Sequence, residues 1–302
     1  MQNPVNSTTQ PLVEITDLSR SFKDKQALNQ VSLTVEPGQV FGIVGENGAG
    51  KTTLIKHILG AYKAQQGQVK VFGEDPVKEP EKVLSQIGYL SEEPELPAWM
   101  SIAELLNYQS AFYTGWDQDF ANELVAMFHL DANTKIKSLS KGQKARVGLI
   151  LAQAHRPPLI VLDEPSSGLD PNARNDILMA IVQTIVQEGR TVIFSSHLLD
   201  EVERVCDHLF MLSHGHLLLA DSMENVLSKH HRMTVKKSES TSRIQEIPGV
   251  INVKHYANES MFDFYGDIEF LKQEFHIEEF IEQRSMSLND VFVARSQMDA
   301  SH

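Results

Sequence analysis

One short stretch, Gly45-Glu46-Asn47-Gly48-Ala49-Gly50-Lys51-Thr52-Thr53, constrains this chain more than any other. The apolar run Val40-Phe41-Gly42-Ile43-Val44 before it reads as a buried strand. Leu54-Ile55-Lys56-His57-Ile58-Leu59 after it has its apolar residues at helical spacing, with Gly60 as a stop. Strand, glycine-rich loop and helix in that order are the context of a phosphate-binding loop. The glycines let successive backbone N–H groups converge on phosphate oxygens, and the helix N-terminus adds partial positive charge. Lys51 is placed to reach the β- and γ-phosphates, and the Thr52 hydroxyl to ligate Mg²⁺. The competing reading is a glycine-rich turn with an incidental lysine. The flanking strand and helix weigh against it.

The second strong feature is Leu159-Ile160-Val161-Leu162-Asp163-Glu164-Pro165. Four apolar residues form a buried strand and deliver Asp163 and Glu164 at its C-terminal end, where open α/β sheets place their ligand crevice. One carboxylate there can support Mg²⁺ and its neighbour can position an attacking water. A strand ending in an ordinary acidic turn is the alternative, and it loses weight with a phosphate loop upstream. Ser167-Gly168-Leu169-Asp170-Pro171 is a turn, Ile177 to Val186 an amphipathic helix ending at Gly189, and Thr191-Val192-Ile193-Phe194 a further buried strand leading to Ser195-Ser196-His197. His197 taken alone reads as a packed core histidine. In a parallel sheet it lies at the same edge as Glu164 and Lys51.

The remaining segments arrange themselves around these two. Residues 1–11 are a polar, trailing start. Strands are expected at Leu12–Ile15, Val31–Val35, Val69–Phe72 and Ile87–Leu90, with Ala27-Leu28 leading into the second. Phe22 fits either a half-buried core aromatic or a ring that stacks on a base, and spacing favours the core. An acidic loop from Ser91 to Pro97 precedes Ser101, which caps a helix with Glu104 completing a capping box. Helical patterns continue at Phe120 to Leu130 and Ala145 to Ala154, so residues 95–157 form a helical insert. Trp99 is either a docking anchor or a buried helix-start residue. Leu209–Leu212 and His216–Ala220 form a hairpin through His214-Gly215, where the two histidines read as a solvated turn rather than a metal site.

From Asp221 the pattern changes. A short helix from Met223 to Leu227 leads to a strand at Met233–Val235, a polar, helix-compatible segment at Thr241 to Ile244, and a strand at Val250–Val253. Then follow a strand at Met261–Phe264, a helix near Ile268 to Phe275, a strand at Ile277 to Ile281 and a last helix from Ser287 to Val293. Strand order from Met233 to Ile281 suggests a small split-βαβ unit. The pairs Lys236-Lys237 and His230-His231 read as solvated surface.

Charge bounds the partners. The net charge is −13, and residues 221–302 carry −5 of it, so neither part is a basic arm. Electrostatic attraction to nucleic acid or anionic lipid is therefore not expected. The single cysteine, Cys206, excludes an intrachain disulfide and a cysteine-rich metal site, which suits a reducing compartment. No signal peptide and no apolar run of membrane-spanning length is visible, so any membrane role goes through a partner.

Over residues 12–220 the chain resembles the ATP-binding subunits of ABC transporters. The phosphate loop Gly45 to Thr53 comes first. Leu139-Ser140-Lys141-Gly142-Gln143 is similar to the family signature LSGGQ, Leu159 to Glu164 to its Walker B strand, Ser167-Gly168-Leu169-Asp170 to its D-loop and His197 to its switch histidine. The resemblance implies an α/β P-loop NTPase fold of the ABC ATPase type, with an antiparallel β subdomain and a helical insert. A small C-terminal α+β domain over 221–302 completes the expected chain.

It also assigns roles. Phe22 falls at the adenine-stacking position. Gly45, Asn47, Gly48, Ala49, Gly50, Lys51, Thr52 and Thr53 hold the phosphates, and Thr52 and Asp163 support Mg²⁺. Glu164 polarises the attacking water, and His197 contacts the γ-phosphate. Ser140, Gly142, Gln143 and Asp170 serve the ATP on a second cassette, so a second copy or a related ATPase subunit is implied. An integral membrane permease is the other implied partner, and an exporter-like role follows from the single cassette, the short C-terminal extension and the Tyr89 to Pro94 loop. The chain would then sit in the cytoplasm on the inner face of the membrane. The alternative is a soluble ABC ATPase acting on ribosomes or DNA; a non-hydrolysing binding module is disfavoured by Glu164 and His197. Two departures stand out. Glu92 occupies the place of a family glutamine, where its carboxylate still offers Mg²⁺ an oxygen but adds negative charge. Lys141 replaces the first signature glycine, and either faces the second cassette's nucleotide or solvent.

Overall fold

The computed structural model describes residues 10–23, 25–236, 244–274 and 280–299. In chain order, the first half contains β1 (Val13–Phe22), β2 (Lys25–Val35), β3 (Val40–Val44), α1 (Lys51–Ile58), β4 (Gln66–Val71), α2 (Pro80–Leu84), β5 (Ile87–Leu90), α3 (Ile102–Ser110), α4 (Gln118–Met127) and α5 (Lys141–Gln153). There follow β6 (Leu159–Asp163), α6 (Pro171–Glu188), β7 (Thr191–Ser196), α7 (Leu199–Val205), β8 (His208–Ser213) and β9 (His216–Ser222). The C-terminal part contains α8 (Met223–Lys229), β10 (His230–Lys236), β11 (Val250–His255), β12 (Glu259–Tyr265), α9 (Ile268–Glu274), β13 (Phe280–Ser285) and α10 (Leu288–Asp299).

A six-stranded sheet in the order β5-β6-β7-β3-β8-β9 carries the centre of the molecule. It is parallel except for β9, which returns antiparallel to β8. β3, β6 and β7 are buried along their whole lengths. Parallel strands covered on both faces read as such unbroken apolar runs. Alternate residues of β3 feed two cores. Val40 and Val44 pack with α6, α7 and the helical insert, whereas Phe41 and Ile43 pack with α1 and the three-stranded antiparallel sheet β2-β1-β4. The segments that follow β3, β5, β6 and β7 therefore leave from one sheet edge.

Several local expectations change. Ala27-Leu28 and Val31–Val35 lie on one strand, β2, with a kink between them where Gln30 adopts φ 49° and the register shifts. That kink breaks the alternation which would have shown one strand. α5 begins at Lys141 rather than Ala145, since Ser140 caps it. Helices α2 and α7 were not expected; both are short, and α7 is mostly charged. α3 starts as the capping box predicts, with Ser101 Oγ accepting from Glu104 N and Glu104 Oε2 accepting from Ser101 N. Trp99 is 70 % exposed, which removes the buried helix-start reading.

In the C-terminal part, β11-β12-β10-β13 form an antiparallel sheet. Met233, Val235, Ile244, Phe262, Phe264 and Leu271 make its small core. Expectations for residues 1–9, for Lys237, for 241–243 and for 275–279 lie outside the described residues. The surface reading of His230-His231 is wrong. His230 is fully buried, with Nδ1 2.7 Å from the Val226 carbonyl and Nε2 accepting from Arg295 at 3.1–3.2 Å, and His231 is buried beside it. α10 does not belong to this sheet alone: Leu288, Val291 and Ala294 are buried in the large core that also contains Val202 and Cys206.

Candidate active site

The loop after β3 wraps a lysine. Gly48 and Gly50 have φ 84° and 113°, and a Cβ at Gly50 would lie 2.5 Å from the Ala27 carbonyl oxygen, so this path needs glycine. No side chain caps α1, which leaves its N-terminus open to an anion. Lys51 is buried, and its Nζ lies 2.6 Å from the Gly45 carbonyl, 3.2 Å from that of Glu46 and 3.0 Å from Glu164 Oε1.

Glu164 is the hub of the site. Its Oε2 lies 2.7 Å from His197 Nδ1. A carboxylate only accepts, so Nδ1 carries the proton in this bond and the Nε2 edge faces away from it. Glu164 adopts φ 48°, the left-handed region, and its N–H donates to Ser195 Oγ at 2.9 Å. The same hydroxyl donates to Asp163 Oδ1 at 2.7 Å. Asp163 is buried, and burial pushes its carboxyl above the usual range; hydrogen bonds from Ser195 and Thr52 oppose this, while the charges of Glu164 and Glu92 add to it. Ser167 Oγ donates to Glu92 Oε1 at 3.0 Å.

These groups face a cleft of about 360 Å³. Of the expected residues, Phe22, Asn47, Gly48, Gly50, Lys51, Thr52, Thr53, Glu92, Glu164 and His197 line it. Ala49 is buried behind the loop, Gly45 faces an adjoining depression with Asn289 and Phe292, and Asp163 reaches the cleft through Thr52. Phe22 stands at the rim, 37 % exposed, with the Arg20 guanidinium 4.7 Å over its ring and the Tyr62 ring edge-on at 5.4 Å.

Ser140, Gly142, Gln143 and Asp170 do not line this cleft. Ser140 and Gln143 form a capping box on α5, and Asp170 Oδ1 accepts from Asn172 N and Ala173 N at the start of α6. Lys141 reaches from α5 to the turn after β6, where a Cβ on Gly168 would lie 2.7 Å from its Nζ. Sequence reasoning missed Lys25, Ala27 and Ser167 as lining residues and Ser195 as the bridge between Asp163 and Glu164. The paired serines before His197 were the available signal for the last.

A second cleft of about 490 Å³ lies between the sheet edge and the helical insert, lined by Leu84, Tyr89, Leu96, Tyr113, Leu151 and His155 among others. The Tyr113 and His155 rings stack there at 3.9 Å. Among the described residues no cluster of three His, Cys, Asp or Glu forms a metal site, and no helix is long and apolar enough to cross a membrane.

The family model described as "ABC transporter" matches residues 28–167. The ABC transporter ATP-binding protein NatA of Bacillus subtilis is 34 % identical over 227 residues, covering 71 % of this chain and 91 % of that protein. This chain belongs to the ATP-binding subunits of ABC transporters. As such a subunit it binds and hydrolyses ATP, and cassettes of this kind work with membrane components and with a second cassette. The Nod factor export ATP-binding protein I of Rhizobium johnstonii is 29 % identical over 220 residues, covering 71 % of this chain and 70 % of that protein. Among solved structures, one described as an ATP binding subunit of an ABC transporter superimposes with a TM-score of 0.66 at 29 % identity, covering 72 % of this cassette-bearing chain and 92 % of that one.

Proposed function

We propose that this ABC subunit drives export through a separate membrane-spanning partner, with residues 12–220 as the ATPase unit and 221–302 as an accessory domain. The reading rests above all on Glu164, whose carboxylate is held between Lys51 at 3.0 Å and His197 at 2.7 Å at the mouth of the phosphate loop. Lys51, Thr52 and the loop N–H groups bind the phosphates, and Phe22 stacks on the adenine. Glu164 accepts hydrogen bonding from the attacking water, and His197 orients that water and the γ-phosphate.

Thr52, Asp163 and Glu92 fit a hard divalent cation. They supply oxygen donors, and the raised carboxyl of Asp163, crowded by Glu164 and Glu92, gains most from a positive charge. When bound, Mg²⁺ supplies charge neutralisation at the phosphates. Ser140, Gly142, Gln143 and Asp170 stand away from the cleft of their own chain, which is consistent with service to the nucleotide of a second copy. The groove beside Leu96 and Tyr113, with Trp99 exposed nearby, suits a helix of the membrane partner. Export in particular is supported by the name of the Nod factor relative. The chain would then lie on the cytoplasmic face of the membrane.

The test is Glu164→Gln. The variant is expected to bind ATP, lose turnover by at least about a hundredfold and accumulate as an ATP-bound dimer. Normal turnover would remove Glu164 from the mechanism. Purification of the trapped dimer with a multi-spanning membrane protein supports transport; recovery with ribosomes or DNA and no membrane chain overturns it.

A further inference from the structure

The catalytic pair is not held by its own loops alone. A non-glycine residue in the left-handed region is conformationally strained, so the turn at Glu164 (φ 48°) needs external support. Ser195 fixes its first half by accepting from the Glu164 N–H. The second half ends on a different group. Ser166, two residues past Glu164, donates to Glu201 Oε2 at 2.6 Å. Ser196, the residue before His197, donates to the same oxygen at 3.2 Å, and its hydroxyl also accepts from Leu198 N at 3.0 Å. The other oxygen of Glu201 lies 3.1 Å from Arg174 Nε on α6.

Ser166, Ser196 and Glu201 are 1 %, 0 % and 4 % exposed. A buried carboxylate is costly unless it is paired and hydrogen-bonded. Glu201 has both kinds of partner, and the two serines carry the segments that deliver Glu164 and His197. We propose that Glu201 is a positioning residue for ATP hydrolysis. From the first turn of α7 it clamps the turn after β6 to the end of β7, which keeps the Glu164 carboxylate within hydrogen-bond reach of His197. It touches neither the phosphate loop nor Phe22, so its effect falls on the chemical step and not on nucleotide capture. The inference rests on the roles proposed for Glu164 and His197.

The experiment compares Glu201→Ala, Glu201→Gln and Ser166→Ala in the full chain, with Glu164→Gln as reference. Turnover, KM for ATP and ATP affinity are measured. Glu201→Ala is expected to lower kcat about tenfold to a hundredfold, the cost of a displacement on the order of 1 Å at the reacting groups. KM and affinity should stay within about twofold, because Lys51 and Thr52 keep their contacts. Glu201→Gln recovers most of kcat, since its amide oxygen still accepts from both serines. Ser166→Ala shows the same selective loss, smaller, and adds little to Glu201→Ala. An unchanged kcat in Glu201→Ala overturns the proposal. So does a joint loss of kcat and affinity that Glu201→Gln does not relieve, which marks a plain structural brace. If Glu201→Ala does not fold, Ser166→Ala decides: a selective loss of kcat supports the clamp and an unchanged kcat overturns it. Full activity in Glu164→Gln overturns the reading of the site itself, whereas an inactive Glu164→Gln beside an active Glu201→Ala overturns only the role of Glu201.

Discussion

In the six-stranded sheet, five parallel strands run the same way, and the segments after β3, β5, β6 and β7 bring Lys51, Glu92, Glu164 and His197 to one cleft. In the four-stranded sheet each strand runs against its neighbour, so strand ends are divided between two sides. The polar groups it buries are spent on holding pieces together. Arg232 pairs with Asp263 at 2.6 Å and Asp290 at 3.1 Å, and His230 joins the Val226 carbonyl to Arg295 of α10. Parallel topology gathers chemistry at an edge; antiparallel topology here makes a joint. Because α10 leaves the small sheet to fill the core behind α7, the joint is connected to the element that carries Glu201.

The comparison is tested hardest by weakening the small core. Phe264 is 1 % exposed among six buried apolar side chains of the described residues. Phe264→Ala is expected to cost about 3–5 kcal/mol, a large fraction of the stability of so small a unit. Denaturant unfolding should then resolve two steps, the first without loss of ATP binding. A single step, with binding lost in parallel, would show that the two sheets are one cooperative unit.

Acid should act on the same joint with a smaller effect. Burial pushes the pKa of His230 down to about 4, helped by the charges of Arg295 and His231 and opposed by its bond to Val226. In the unfolded chain a histidine titrates near 6.5. Between those values the unfolded chain takes up the proton and the folded chain does not. Stability from this group is therefore complete above about 6.5 and is lost as pH falls toward 4. His57 and His155 in the larger unit shift in the same direction by burial, so both unfolding steps weaken in acid. The sharper measurement is His230→Gln, which keeps a donor for Val226 and an acceptor for Arg295 but does not titrate. It should reduce the pH dependence of the first step between pH 7 and 5, leaving the part due to His231, which burial lowers in the same direction, and leave the second step unchanged. An unaltered slope would remove His230 from the joint.

The same contrast explains what could be read from the sequence. An apolar strand that stops abruptly at a glycine or a polar residue is visible in one dimension, and Val44 to Gly45, Leu162 to Asp163 and Phe194 to Ser195 all announce the parallel edge. Contacts between such edges are not visible. Ser166 and Glu201 are 35 residues apart, and no period or composition marks their meeting. His230 and Arg295, 65 residues apart, belong to the same class, which is why a buried histidine pair read as surface. The kink at Gln30 erased the alternation that identifies a strand, and α7 is too short for its spacing to stand out. Ser140 was legible as a signature residue only; its capping box with Gln143, which starts α5 four residues before the expected Ala145, became visible in the structure.

The smallest effect concerns the one acidic departure at the parallel edge. Glu92 is exposed, accepts from Ser167 Oγ at 3.0 Å and lines the cleft with Thr52 and Glu164. Burial raises the Asp163 carboxyl, and the Glu92 charge adds a smaller push in the same direction. Glu92→Gln keeps an oxygen for the Ser167 hydroxyl and removes that charge, so a triphosphate meets less repulsion when no cation is present. Solvent screening limits the gain, and ATP affinity without Mg²⁺ should rise by about twofold to fivefold. With saturating Mg²⁺ the difference should shrink, because the lost carboxylate was also a donor for the cation. Titration of a fluorescent ATP analogue at several Mg²⁺ concentrations reads both quantities. If affinity and its Mg²⁺ dependence are unchanged, the Glu92 carboxylate belongs to the Ser167 turn alone, and the parallel edge gathers one group fewer than its topology allows.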